Sequence, residues 1–260
     1  MPFLCSFFGK GVRVEEDLLI SAEETLDDLI LGGLKIIQPK SGYRFSVDAL
    51  LLAHFCTLNK VHRVIDLGTG NGIIPLLLTT RQANLNIVGV ECQDSMVRRT
   101  RRSIKLNNLE DIITIVKEDI NHIENSCPRG QADLVVCNPP FYKVGTGRLS
   151  LNEEEAIARH EIAVSLATII EKATYLLNDT GTLALIHKAD SLGEIINLFS
   201  TYKLKLSRIR FIHSNIDSRA KLVLIEGRKN SSAKLDVLAP LIIYKSNGEY
   251  SEEVKAWYQN

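Results

Sequence analysis

The segment best suited to chemistry is Asn138-Pro139-Pro140-Phe141, which follows Leu134-Val135-Val136-Cys137, an apolar run with the composition of a buried strand. Two successive prolines fix φ and remove two N–H groups, so the loop is stiff. A stiff loop can aim the Asn138 amide oxygen and the Pro139 carbonyl at one NH₂ group, each accepting one of its hydrogens. An exocyclic amine conjugated to a purine ring is a poor nucleophile because its lone pair is delocalised. Two acceptors would orient it and stabilise the positive charge that nitrogen gains as it attacks, more than they stabilise the neutral ground state. Phe141 can stack on the base. The nitrogen becomes acidic once its lone pair is spent, so water can take the released proton and the site calls for no dedicated general base.

A second motif, Asp66-Leu67-Gly68-Thr69-Gly70-Asn71-Gly72, sits between the strand Val64-Ile65-Asp66-Leu67 and an apolar helix, where open α/β sheets bind ligands. Its glycines permit positive φ and close ligand approach. Glu91 ends the next strand nineteen residues after Gly72, where a carboxylate can accept hydrogen bonds from two ribose hydroxyls. The spacing is G-x-G-x-G, unlike the dinucleotide fingerprint G-x-G-x-x-G, and an acid precedes it. A pyrophosphate would be repelled by Asp66, whereas the sulfonium and ammonium of S-adenosylmethionine (SAM) would be attracted. The alternative is a tight strand-to-helix turn that holds no cofactor.

Other polar residues carry two readings each. Asp119 can accept from an adenine amino group or cap a helix. Asp48 can hold the methionine end of SAM or be a solvated acid. Arg98, Arg99, Arg101, Arg102 and Lys105 can grip phosphates or form a solvated helix face. Lys143 and Arg148 follow the catalytic loop, where a nucleic acid would pass, and are the candidate substrate-binding cations. His160 and Glu161 read as surface or packing residues, and no metal-ligand spacing is present.

These motifs need elements to position them. From Val61 onward, β-branched runs alternate with helical periods, the pattern of a sheet covered by helices on both faces. Strands are expected at 64–67, 86–91, 112–116, 132–137 and 182–187. Helices are expected at 73–80, from Asp94 as cap to about Asn107, at 156–177, and from a Ser191/Glu194 capping box to about Tyr202. Asn178-Asp179-Thr180-Gly181 reads as a loop. Two closing antiparallel strands at about 205–212 and 220–226 make the sheet mixed, and Asn247-Gly248 suits a final hairpin. Ahead of this core, Asp28 to Phe55 contains a strand at 34–38 and a helix opened by Ser46, expected as a lid over the sheet's carboxyl edge. The division is an extension, residues 1–60, packing on a domain of residues 61–260.

At 260 residues, 45% apolar and 24% charged, the chain suits a single well-buried α/β unit. Its net charge is zero, so a basic binding surface must be a local patch. Five cysteines without a C-x-x-C pair argue against a disulfide framework or a zinc site and predict reduced thiols in the cytoplasm. The apolar start, Met1 to Phe8, is too short for a membrane span and lacks a basic flank. A monomer that touches no membrane is expected.

On these motifs the chain resembles the bacterial tRNA adenine-N6 methyltransferases that act beside the anticodon of a valine tRNA, a branch of the class I SAM-dependent methyltransferases. The resemblance extends to Leu34-Lys35-Ile36-Ile37-Gln38, Phe45-Ser46-Val47-Asp48-Ala49-Leu50-Leu51-Leu52, Arg159-His160-Glu161 and Leu224-Ile225-Glu226-Gly227. It implies a Rossmann-like, seven-stranded mixed sheet with a final antiparallel strand. It also implies SAM held by the Asp66 to Gly72 loop and Glu91, and an adenine methylated at Asn138 to Phe141. The family's tetrapeptide often ends in tyrosine; Phe141 keeps stacking and gives up a phenol hydrogen bond. Related families with the same tetrapeptide methylate DNA adenine, a ribosomal guanine amine or a glutamine side chain, and a non-catalytic SAM- or RNA-binding module is the further alternative.

Overall fold

The computed structural model describes residues 20–29, 31–41, 44, 47–140 and 164–257. In chain order these form β1 (Glu24–Asp28), β2 (Lys35–Pro39), α1 (Val47–Phe55), β3 (Arg63–Leu67), α2 (Ile73–Arg81), β4 (Asn86–Glu91), α3 (Asp94–Leu106), β5 (Ile113–Lys117) and β6 (Ala132–Cys137). There follow α4 (Leu166–Leu176), β7 (Leu177–Lys188), α5 (Leu192–Thr201), β8 (Leu204–His213), β9 (Ala220–Lys229), β10 (Asp236–Val237), β11 (Leu241–Ile242) and α6 (Glu252–Trp257).

The main sheet runs β10-β8-β9-β7-β6-β3-β4-β5, with β11 also paired to β8. It has nine strands, not the expected seven. The two additional ones are dipeptides that pair in parallel with β8 along its outer side, interrupted between them at Pro240, which has no N–H to donate. They cover an edge that would otherwise expose unpaired backbone. The remaining seven form the mixed sheet, in which β9 is antiparallel to both neighbours, β7 and β8.

Period-two alternation divides the strands between two cores. Leu134 and Val136 of β6 face one side with α1, α2 and α3, while Val135 and Cys137 face the other with α4 and α5. Helix α2 is apolar from Ile73 to Leu78 and wholly buried over that stretch, with Pro75 in the first turn, where no N–H is needed. In α3 the buried positions are Met96, Val97, Thr100, Ser103 and Ile104, a 3.6-residue stripe that leaves most of the arginines outside.

Several boundaries differ from expectation. Residues 178–181 lie inside β7, not in a loop: Ala132 pairs with Leu177 and Leu134 with Thr182, so the intervening residues form a bulge. That bulge is closed by Asn178, which donates to Asp133 Oδ1 at 2.6 Å and accepts from Thr180 N at 3.0 Å. Helix α4 is capped by Ser165, whose Oγ accepts from Thr168 N at 3.0 Å; the expected start at Ala156 lies outside the described residues, as does Ser46. Asp94 is the first residue of α3, not its cap, and pairs with Lys117 at 2.8 Å. Ser191 makes no side-chain cap bond because a 3₁₀ turn, Ala189–Ser191, already precedes α5. At Asn247-Gly248 the chain turns with Gly248 at φ 83°, but the flanking pairing is a single bridge, Tyr244 to Tyr250.

The β1–β2 hairpin is not a lid over the carboxyl edge. It lies along α3 in the helix layer. Lys35 N donates to Asn107 Oδ1 at 2.9 Å, Asn107 Nδ2 returns a bond to Lys35 O, and Ile37 N donates to Ser103 Oγ at 3.0 Å. Helix α1 is instead a core element with six buried residues. Among the described residues no helix is long and apolar enough to cross a membrane.

Candidate active site

Strand register brings the two sequence motifs to one place. Asp66 lies opposite Val136 of β6 on one side and Gly89 of β4 on the other, and Leu67 lies opposite Cys137 and Val90. Gly68, Glu91 and Asn138 therefore leave the sheet at neighbouring points along its carboxyl edge, with β3 at the centre.

The glycine turn is built by backbone bonds. Gly68 N and Thr69 N both donate to Val90 O, at 3.0 and 2.9 Å, and Gly72 N donates to Thr69 O at 2.9 Å. This geometry puts Gly68, Gly70 and Gly72 at φ 73°, 56° and 78°, a region costly for any residue with a Cβ. The turn delivers Ile73 into α2 with its free amide groups at the edge. Glu91 is 6% exposed and closes the opposite wall. Its Oε2 accepts from Gly70 N at 3.0 Å and its Oε1 from Gln93 N at 2.9 Å. Both oxygens are thus oriented by backbone; Oε2 keeps a lone pair for a ligand hydroxyl, while Oε1 also takes the weak Cys92 thiol donor at 3.6 Å, which a ligand hydroxyl can displace.

Asp66 is the strongest indication of a missing charge partner. It is 1% exposed, and among the described residues neither carboxylate oxygen, nor the neighbouring Thr69 Oγ1, has a hydrogen-bond partner within bonding geometry. Burial pushes its carboxyl up to about 7, opposed by the nearby Thr69 hydroxyl and reinforced by the charge of Glu91. Buried polar atoms are almost always satisfied, so two orphaned oxygens mark a place for a donor-rich cation. The amino acid end of SAM meets that need, a ribose suits Glu91, and the glycines leave room for both. The residues present fit SAM.

Asp119 caps the 3₁₀ turn Ile120–Asn125, its Oδ1 accepting from Asn121 N at 2.8 Å and Asn121 Nδ2 at 2.9 Å. Asp48 is in the first turn of α1. The side chain of Arg81, at the end of α2, reaches Ala53 O and Cys56 O at the end of α1, so the two helices run side by side and Asp48 lies at the end nearer the glycine turn. Asn71 is buried, with Oδ1 3.4 Å from Arg99 Nη1. Asn138 is half-buried, Pro139 buried and Pro140 exposed; Phe141, Lys143, Arg148, His160 and Glu161 lie outside the described residues.

The arginine-rich helix is partly committed to the protein itself. Arg99 and Arg102 both bind the Glu24 carboxylate, and Arg101 donates to Ile115 O at 2.8 Å. Their first task is to dock the hairpin. Sequence reasoning missed Thr100, whose Oγ1 donates to Gly70 O at 2.6 Å, and Ile120, whose Cδ1 faces Gly68. The signal for Thr100 was present: it is a polar residue in the apolar stripe of α3, and such a side chain needs a buried partner. The thiol of Cys92, beside Glu91, is raised to about 11 by burial and then by the Glu91 charge, so it stays protonated. Among the described residues no group of three or more His, Cys, Asp or Glu could hold a metal ion.

Residues 46–211 match the family described as "Methyltransferase small domain". A curated relative from Porphyromonas gingivalis, named tRNA1(Val) (adenine(37)-N6)-methyltransferase, is 31% identical over 73% of this chain and 75% of its own. One of the same name from Photobacterium profundum is 26% identical over 82% and 88%. Among solved structures, a predicted O-methyltransferase from Agrobacterium tumefaciens superposes with a TM-score of 0.66 at 23% identity, covering 82% of this chain and 95% of that one. Pyrococcus horikoshii TYW2, solved in complex with MeSAdo, gives 0.55 at 15% identity over 81% and 73%. The last two establish the fold, and the sequence matches establish the lineage: this chain belongs to the methyltransferase small domain family and is a SAM-dependent methyltransferase.

Proposed function

We propose that this methyltransferase transfers the methyl group of SAM to N6 of an adenine beside the anticodon, position 37 of a valine tRNA. The observation that carries the reading is the 31% identity to the P. gingivalis tRNA enzyme across three quarters of both chains. It is supported by the placement of Asn138 next to the turn that begins at Asp66.

In this reading Asp66, Gly68, Thr69, Gly70, Asn71, Gly72 and Glu91 hold the cofactor, with Asp48 at its methionine end and Asp119 near its adenine. SAM supplies an electrophilic methyl on a positively charged sulfur. Asn138 and Pro139 accept the two hydrogens of the target amine and turn its lone pair toward the cofactor turn; Pro140 keeps the loop stiff and Phe141 stacks on the base. Lys143 and Arg148 neutralise phosphates, so RNA affinity should fall steeply with salt. The target adenine is unstacked most cheaply in a single-stranded loop. The enzyme works as a cytoplasmic monomer, with residues 61–260 as the methyltransferase domain and 1–60 as an extension packed on it, although the family match begins inside that extension, at residue 46.

The test is transfer of labelled methyl from SAM into separated pools of unmodified tRNA, ribosomal RNA, DNA and protein, followed by nucleoside analysis. N6-methyladenosine in tRNA is the expected product. Label in another pool overturns the substrate and keeps the chemistry, and no label despite SAM binding leaves a non-catalytic module.

A further inference from the structure

The carboxyl edge continues past Asn138 through β7 and β9 to β8, and its far end carries apolar surface exposed among the described residues. The β8–β9 turn, residues 214–219, has Ile216 at its tip, 71% exposed. Against that turn lies the segment after β11: Ile243 N donates to His213 O at 3.0 Å and Tyr244 N to Ser214 O at 2.8 Å. Tyr244 and Tyr250 stack with ring centroids 5.3 Å apart and planes 16° from parallel, yet they are 40% and 36% exposed. Three large apolar side chains thus share one rim on a molecule that buries most of the others.

Charge selects the occupant. Lys188, Arg219 and Lys221 are exposed on the same rim, and none of the ion pairs among the described residues engages them. Exposed aromatic faces interleaved with unpaired cations suit a strand of bases on a phosphate backbone, since bases stack on tyrosine and phosphates meet lysine and arginine. These three cations outnumber the exposed acids of the same stretch, Asp190 and Asp217, so the rim keeps a net positive charge that an apolar protein partner would leave unanswered. Strand order gives the distance: β8 is three strand spacings from β6, roughly 14 Å, and β11, which leads into Tyr244, is a fourth, roughly 19 Å. The rim is thus about four to six nucleotides at stacking distance from a base held at Asn138. At the other end of the edge, Arg99 and Arg102 of α3 are taken by Glu24 of the hairpin and Arg101 donates to Ile115 O, so three of the four arginines of that helix are already engaged.

We propose that the Ile216, Tyr244 and Tyr250 rim, with Lys188, Arg219 and Lys221, is the platform on which single-stranded RNA flanking the target base is stacked. The inference rests on the RNA reading above and adds the surface that selects an unpaired strand. RNA binding here is sequence-tolerant and is a property of loops, not of duplex.

The experiment compares full-length wild type with Tyr244→Ala/Tyr250→Ala, Tyr244→Phe/Tyr250→Phe and Ile216→Ala/Arg219→Glu. The readouts are fluorescence anisotropy with a labelled single-stranded oligoribonucleotide of mixed sequence, KM and kcat with a tRNA transcript, SAM affinity and thermal midpoint. The alanine pair and the turn variant are each expected to weaken oligonucleotide binding roughly tenfold and to raise KM for the tRNA with kcat and SAM affinity unchanged. The phenylalanine pair keeps wild-type affinity because it keeps the rings. Wild-type RNA affinity in both the alanine pair and the turn variant overturns the proposal, as does loss of a self-association by sedimentation with RNA binding intact, which would make the rim an interface between copies. If the alanine pair alone is unfolded, the turn variant decides. A wild type that methylates no tRNA but binds the oligonucleotide through this rim defeats the substrate assignment and leaves the platform standing.

Discussion

Arg99 Nε donates to Glu24 Oε1 at 3.1 Å, and through the same guanidinium the N-terminal hairpin is connected to Asn71 in the glycine turn. Glu24 is 8% exposed and takes a second arginine, Arg102. Burial alone would raise its carboxyl, but the hydrogen bond and charge of Arg102, the Ser21 N–H and Arg99 outweigh that and lower it to about 2. The hairpin thus buttresses the cofactor loop from behind.

Glu24→Gln should therefore destabilise the protein by about 3 kcal/mol, since it leaves two arginines facing a buried neutral group. The wild-type pairing contributes fully above about pH 4.5, where the unfolded carboxylate is ionised, and is lost as pH falls toward 2. Urea unfolding between pH 3 and 7 checks both. The variant should lack this component of the acid slope, and an unchanged slope would contradict the assignment.

Asp66→Asn should do the opposite to the ligand-free protein. The native carboxyl titrates near 7 and the unfolded one near 3.8, so its contribution to stability falls as pH rises between those values. Removing the charge should raise stability at pH 8 by about 1–3 kcal/mol while weakening SAM binding at least roughly tenfold. Wild-type SAM affinity should rise with pH up to about 7, with a proton released on binding. Calorimetry in buffers of different ionisation enthalpy reads the proton, and equal SAM affinity in the variant would remove Asp66 from the site.

Gly72→Ala combines two penalties. Its φ is 78°, and an added Cβ would stand 2.4 Å from Thr100 Cγ2. A loss of roughly 2–4 kcal/mol is expected from strain and overpacking together. Thr100→Ser removes that methyl and keeps the hydroxyl that donates to Gly70 O. The double variant should recover the steric share and not the backbone share, a coupling visible in a double-mutant cycle of unfolding free energies.

Asn138→Ala should lower kcat by roughly 10²-fold, by comparison with the loss of a single polar group that stabilises a transition state. Affinity for SAM should be unchanged because the cofactor turn is held by Val90, Glu91 and Thr100. Single-turnover methyl transfer, with cofactor binding measured in parallel, separates the two. Full turnover would overturn the mechanism in which Asn138 orients the amine.

What could be read along the chain was whatever local chemistry dictates. Glycines at 68, 70 and 72, an acid before them, Glu91 at a strand end and two prolines after a buried strand each constrain the backbone within a few residues, so type and spacing were enough to single out a candidate SAM site and a candidate amine-orienting loop. Strand register then decided that these distant segments meet, because the parallel pairing of β3 with β4 and β6 sets their ends level. The features that were not legible depend on contacts across the chain. Pairing too short to leave a period, at Asp236–Val237 and Leu241–Ile242, made nine strands of an expected seven. A hairpin expected over the carboxyl edge was drawn to α3 because Glu24 finds Arg99 and Arg102 there, so two arginines of a stretch that read either as a phosphate grip or as a solvated face became its anchor. The sequence by itself determined the chemistry of the turn and the loop, since covalent identity sets which φ angles and lone pairs are available. Only the tertiary structure decided which charges are already neutralised and which acid, Asp66, is buried with no hydrogen-bond partner among the described residues, because burial and pairing belong to no residue alone.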